Sequence, residues 1–330
     1  MTAVTTEQSE EKTMCKQSQN RCLAATIFGL AAVLLMAAAP VRALTSVTAC
    51  GQNLNAAGGA YILTADLDCS GTLTSGINIT ANNVFFHLAG HTITSTDCDS
   101  TKSIGGIVVS GGVSGVRIEG GTVKGFNDGI SLGSSGARVS GMTVTNSCIF
   151  GITVSGPNNQ VDTSVVTLSG LDGIGIGAAN GTHILSNDIF GNNRVGVDIS
   201  NFSNNNFVEN NIINNNGIVD GEQGGVAIFN GTANLVANNV LNNNFNGIEI
   251  ESPGNIVRNN TVNGSVEDGI FVTSVGSPAT IKLNTVLGST FVDMSDDSPT
   301  CSGDLWRKNI FQTDLAGDVS NGGPGVGCIR

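Results

Sequence analysis

Asp198 and Glu249 are the residues of this 330-residue chain whose type and spacing come nearest to chemistry. Each stands two residues after a glycine, Gly196 or Gly247, in the runs GVDI and GIEI. Alternation in such a run sends Val197, Ile199, Ile248 and Ile250 to one side, and Asp198, Glu249 and Glu251 to the other. The two glycines are two repeats apart. At a strand spacing of about 4.8 Å per repeat, the two carboxylates are about 9–10 Å apart. That is near the upper end of the separation used by the acid and base of an inverting glycosidase. Arg194 lies two residues before Gly196, and an insertion from Asn214 to Gln223 adds Asp220 and Glu222. Insertions in repeat folds become loops on one face, often the binding face. Asp198, Glu249, Asp220, Glu222 and Arg194 are therefore the candidate catalytic group. No EF-hand loop is present, so a calcium ion would need ligands assembled across repeats, with Asp198, Glu249 and Glu251 as the candidates. No cofactor is otherwise required. The plain alternative is a solvated face whose carboxylates keep the sheet soluble and discourage edge pairing.

The elements that must position these groups are strands. Gly76, Gly106, Gly129, Gly151, Gly173, Gly196, Gly225, Gly247 and Gly269 each open a run of the form Gly-Ile/Val-x-hydrophobic, and most steps are 22 or 23 residues. A strand-like repeat of that period marks a β-solenoid that adds one rung per repeat. No stripe of period 3.6 follows residue 43. Between the glycine runs lie two further short strands, as in RVSGMTV, ILSNDIF, FVENNII, LVANNVL and IVRNNTV. Gly141, Asn187, Asn210, Asn238, Asn259 and Asn284 mark the bend between them. A residue repeated once per rung becomes a column, so the asparagines predict a hydrogen-bonded ladder that also tolerates a left-handed bend. Asp128, Asp172, Asn246 and Asp268, just before the glycines, predict bend caps. Phe150, Phe229, Phe245 and Phe271 predict internal ring stacks or, less directly, sugar platforms.

Residues 1–43 read as a signal peptide. An apolar segment of about 16 residues, short for a membrane span, ends in Val41-Arg42-Ala43, with small residues at the −3 and −1 positions of a cleavage site. The alternative is a retained anchor. Residues 44–330 read as the solenoid, with 44–75 its N-terminal cap and first strands and 296–330 its C-terminal cap. Loss of residues 1–43 removes three acidic and four basic residues and leaves 23 acidic against 10 basic. Such a chain repels nucleic acid and anionic membrane faces. Six cysteines remain, an even number that favours disulfides after export. Cys50–Cys69 and Cys301–Cys328 would close the two open ends. The pairing of Cys98 and Cys148 stays open.

The rungs resemble the right-handed parallel β-helix repeats of the pectin-lyase-like superfamily. Asp128-Gly129-Ile130, Asp172-Gly173-Ile174, Asn246-Gly247-Ile248 and Asp268-Gly269-Ile270 carry the resemblance, which covers residues 48–330. The opening segment from Cys50 and the closing CSGDLWRKNIF resemble exported bacterial β-helix proteins of unassigned function. The resemblance implies a single all-β solenoid of about ten rungs of about 22 residues. It implies little about activity, because the superfamily includes lyases, hydrolases, epimerases, adhesins and NosD-like accessory proteins. The Asn-Thr-Asp, Gly-His-Gly and Arg-Ile-Lys motifs of polygalacturonases are absent, and the only Asp-Asp, Asp296-Asp297, lies past the last regular rung. The Asp-Pro-His-Asp motif of mannuronan epimerases is also absent. The expectation is an exported monomer that binds or processes polysaccharide, or a cell-surface glycan, along an outward groove. The competing expectation is a non-catalytic structural solenoid.

Overall fold

A Cβ on Gly173 would lie 2.7 Å from the carbonyl oxygen of Gly196 and 2.9 Å from Cγ2 of Ile189. The same approach to the next rung's backbone recurs at Gly106, Gly129, Gly151, Gly196, Gly225 and Gly247. The glycine repeat is thus a packing requirement: the chain turns inward here and meets the rung above with no room for a side chain. The computed structural model describes residues 43–98, 104–219, 223–298, 300–317, 319–320, 323–324 and 326–330. Those from Leu44 onward form about 11 turns of a right-handed parallel β-solenoid with roughly 23-residue spacing, and no helix occurs among them.

Each rung has three strands. The first strands, such as Val197–Ser200, Gly224–Phe229 and Asn246–Glu251, stack into a 13-stranded sheet. All its pairings are parallel except the last, where Val319–Ser320 turns back along Asp314–Ala316. The second and third strands, such as His183–Leu185 and Asp188–Phe190, stack into columns joined as a 20-stranded sheet. The joining elements are Arg117–Lys124 and Arg138–Thr145, which run unbroken across the bend. Parallel coiling continues past residue 296, through Leu305–Arg307 and Asp314–Ala316, so the expected C-terminal cap still carries a turn of the coil.

The alternation holds. Ile174, Val197, Ile199, Ile248 and Ile250 are fully buried in the core. Each buried aliphatic side chain contributes about 1.5–3 kcal/mol relative to exposure. Cys50–Cys69 and Cys301–Cys328 form as expected, and Cys98 pairs with Cys148, with Cα atoms 5.7 Å apart.

The asparagine column needs correction. The ladder consists of Asn187, Asn211, Asn239, Asn260, Asn284 and Asn309. In each after Asn187, Oδ1 accepts both the backbone N–H and the side-chain N–H of the asparagine one rung below, and Asn187 Oδ1 accepts the backbone N–H of Ser164. Asn187 and Asn284 belong to it. Asn210, Asn238 and Asn259 do not: they sit one residue earlier, exposed, at φ of 58°, 57° and 55°. They supply the left-handed bend instead. Two further buried columns, Asn192–Asn216–Asn244 and Asn206–Asn234–Asn255, line the other corners.

Candidate functional site

The outer face of the first strand column carries two side-by-side rows. One comprises the residues before the rung glycines: Asp128, Phe150, Asp172, Val195, Gly224, Asn246 and Asp268. The other comprises residues two after them, in register as Gly175, Asp198, Ala227, Glu249 and Phe271. The rows touch: Asn246 Nδ2 donates to Glu249 Oε2 at 3.3 Å. The acidic and amide members of the first row are not bend caps. Asp172 Oδ1 accepts the N–H of Val195 at 3.1 Å, and Asn246 Oδ1 accepts that of Asp268 at 3.0 Å. Asp128 and Asp268 likewise accept from Phe150 and Val292. Each staples its own rung to the next.

Asp198 and Glu249 point outward, yet each is only 8% exposed. They are not a solvated face. Neighbouring rows cover them, and burial disfavours the charged form. Burial, then the nearby Asp172 charge, pushes Asp198 up to about 7, against the opposing Ser200 hydroxyl and Arg194. Asp198 Oδ2 accepts from Ser200 Oγ at 3.0 Å, whereas Oδ1 is buried without a partner. Glu249 is also pushed up to about 7, chiefly by burial, with Glu251 and Glu267 adding to it and Asn246 opposing. Asp268 reaches about 7 by burial and the charge of Glu267.

Arg194 grips the fully buried Asp172 with two contacts, Nε to Oδ1 at 2.8 Å and Nη2 to Oδ2. Its first task is therefore to neutralise Asp172, and it reaches Asp198 only as a nearby charge. Ala227 stands between Asp198 and Glu249 in the register. The structure thus separates the candidates into one group around Asp198, Asp172 and Arg194 and another around Asn246, Glu249, Glu251, Glu267 and Asp268. Asp220 and Glu222 lie outside the described residues. Among the described residues no three Asp, Glu, His or Cys side chains converge to hold a metal ion, and Asp198, Glu249 and Glu251 do not assemble one.

A depression of about 330 Å³ opens beside Asp198. Gly175 and Gly177 floor it: their rung lacks the side chains that Thr153 and Ser155 present one rung below and Asp198 and Ser200 one rung above. Asp128 and Phe150 form one wall, and Asn201 closes another. The sequence signal for this feature is GIGIG, a first-strand run with no outward side chain. The phenylalanines are also placed differently from expectation. Phe150, Phe229, Phe245 and Phe271 are half-exposed rather than stacked in the core. Phe229 neighbours Glu251, and Phe271 neighbours Glu249. The outer face therefore combines rings, hydroxyls, an amide and protonatable carboxyls.

A parallel coil with this outer face defines a class of protein. Residues 105–255 and 209–301 match the family model described as right handed beta helix region, and the chain belongs to that family. No curated protein sequence is matched. Among solved structures, the chain is similar to the Agl-KA catalytic domain, with a TM-score of 0.61 and 12% identity, covering 82% of this chain and 59% of that one. The chain thus spans less than two thirds of that domain. The A-module of the Azotobacter vinelandii mannuronan C-5 epimerase AlgE6 matches with a TM-score of 0.61 and 17% identity, covering 79% of each chain. The periplasmic alginate epimerase AlgG matches with a TM-score of 0.58 and 14% identity, covering 83% of this chain and 77% of that one. At these identities the likeness is one of fold.

Proposed function

We propose that this chain is an exported protein that binds or processes polysaccharide, uronate-containing chains included, along the outer face of its first strand column. The observation that carries the reading is the depression over Gly175 and Gly177. Phe150 offers a ring face to a sugar, while Thr153, Ser155, Ser200 and Asn201 offer hydrogen bonds to its hydroxyls. Asp198 holds a carboxyl that exchanges its proton near neutrality. Similar coils named as alginate epimerases support the class of ligand. Three disulfides support export, and among the described residues no helix is long and apolar enough to cross a membrane.

The environments of Asp198 and Glu249 push both carboxyls in the same direction. A paired hydrolytic mechanism needs one acid and one ionised base, whose pKa values are set apart. Sugar binding at the depression, with Asp198 as the group that moves any proton, is therefore favoured over hydrolysis by the two carboxylates together.

The test is to incubate the purified chain with alginate, polygalacturonate and neutral glycans, with and without calcium. New reducing ends would report hydrolysis, unsaturated uronates a lyase, inverted C5 signals an epimerase, and calorimetric binding alone a lectin-like role. Loss of the positive signal in Asp198→Asn supports the site. Absence of every signal leaves the structural solenoid, which the unbroken asparagine ladders favour.

A further inference from the structure

Arg258, Lys282 and Arg307 occupy one register position on three successive rungs of the second strand column. Each is on the outer face and at least partly exposed. Strand spacing of about 4.8 Å brings like charges directly opposite one another, an arrangement that destabilises a sheet. Among the described residues none of the three takes part in an ion pair. The nearest acid in their row, Glu209, is two rungs below Arg258, beyond Ala237. Lys308, exposed at the bend, adds a fourth charge beside Arg307. In a chain of net charge −12, this is a concentrated cationic ridge, and it runs along the solenoid axis.

The row beside it is mostly aliphatic, with one threonine, Thr280. Leu235, Ile256, Thr280 and Leu305 stand two residues earlier on the same strands, with Ile256 37% and Leu305 50% exposed. A ridge of charges spaced by one rung, flanked by a strip of aliphatic groups, is complementary to a particular kind of ligand. In a linear chain of uronates or sulfated hexoses an anionic group recurs about once per pyranose, a step close to one rung. The C–H faces of the sugars then lie against the aliphatic strip. A duplex or a lipid surface is too broad for a ridge three rungs long on an otherwise acidic protein, because it would meet the acidic faces too.

We propose that this ridge binds a linear anionic polysaccharide laid along the solenoid axis. It lies on a different strand column from the depression at Gly175, so neither site depends on the other.

The experiment compares wild type with the triple variant Arg258→Gln, Lys282→Gln, Arg307→Gln. Affinities for polygalacturonate and for heparin are measured over a salt series. Wild type is expected to bind with a log K that falls with log salt with a slope of about −2 to −3, as for release of two or three counterions. The triple variant is expected to lose at least tenfold in affinity and most of that slope, while melting at the same or a higher temperature because the repulsion is gone. Retained affinity in the triple variant overturns the proposal. So does binding by wild type to phosphatidylglycerol vesicles or duplex DNA but to neither polysaccharide.

Discussion

Asn260 Oδ1 accepts two hydrogen bonds from Asn239, one from its backbone N–H and one from its side-chain N–H, both at 3.0 Å. Asn239 in turn accepts the same pair from Asn211 and donates to the carbonyl of Val208. It is 1% exposed. Asn239→Ala leaves buried groups on both neighbouring rungs without partners, at about 1–3 kcal/mol each. The expected outcome is a clear loss of stability in chemical denaturation. Asn238→Gly, one residue earlier, should cost little, because that position needs only a left-handed backbone. Equal effects of the two substitutions would place the ladder elsewhere.

That pair of residues also shows where the sequence stops being legible. The glycine spacing and the alternation at Ile248, Glu249 and Ile250 define the coil and its inward face, because both are set by neighbours within one strand. The ladder register is set between rungs. Asn210-Asn211, Asn238-Asn239 and Asn259-Asn260 each offer two alignments, and only the packing of the bend selects the second. Glu249 is readable as outward but not as buried, since its cover comes from Asn246 beside it and from the rungs above and below. The depression is an absence of side chains at Gly175 and Gly177. It becomes a feature only when Thr153 and Asp198 are seen to flank it.

Filling that depression is the direct test of its role. A Cβ on Gly175 would meet only Cδ1 of Phe150, at 3.9 Å, an ordinary contact. Gly175→Leu should therefore fold normally while occupying the sugar-facing space. Affinity for the bound glycan should fall at least tenfold, with an unchanged melting temperature. Undiminished binding by a folded Gly175→Leu would remove the depression from the functional account.

The grip of Arg194 on Asp172 is structural in its first effect. Asp172 is fully buried, and Arg194→Met strands its charge. Removing one partner of a fully buried pair costs about 3–5 kcal/mol, an upper bound here because the Arg194 side chain is 32% exposed. Arg194→Met with Asp172→Asn should recover part of that loss, since the amide carries no charge and its oxygen can still accept the N–H of Val195. A double-mutant cycle in urea measures the coupling. A cycle showing no coupling would mean that water already carries the Asp172 charge.

Three buried carboxyls give the stability of this protein a sign that differs from that of most acidic chains. Asp198, Glu249 and Asp268 are each pushed up to about 7, from ordinary values of 3.8, 4.5 and 3.8. In all three, burial is the leading cause. Between about pH 4 and pH 7 the folded chain therefore binds more protons than the unfolded one, and stability falls as pH rises through this window. The contribution is fully present below the unfolded values and lost above the folded ones. Asp162, held low by Arg138 and Ser140 against its burial, acts in the opposite sense, and its stabilisation fades only as the solution becomes more acid than about pH 4. The melting temperature should accordingly be higher at pH 5 than at pH 8. The triple variant Asp198→Asn, Glu249→Gln, Asp268→Asn replaces each carboxyl by a group that cannot ionise, and it should lose most of that difference while gaining stability at pH 8. A wild-type melting temperature higher at pH 8 than at pH 5, measured in chelator to exclude bound cations, would show that these carboxyls are ionised in the folded chain and that water reaches them.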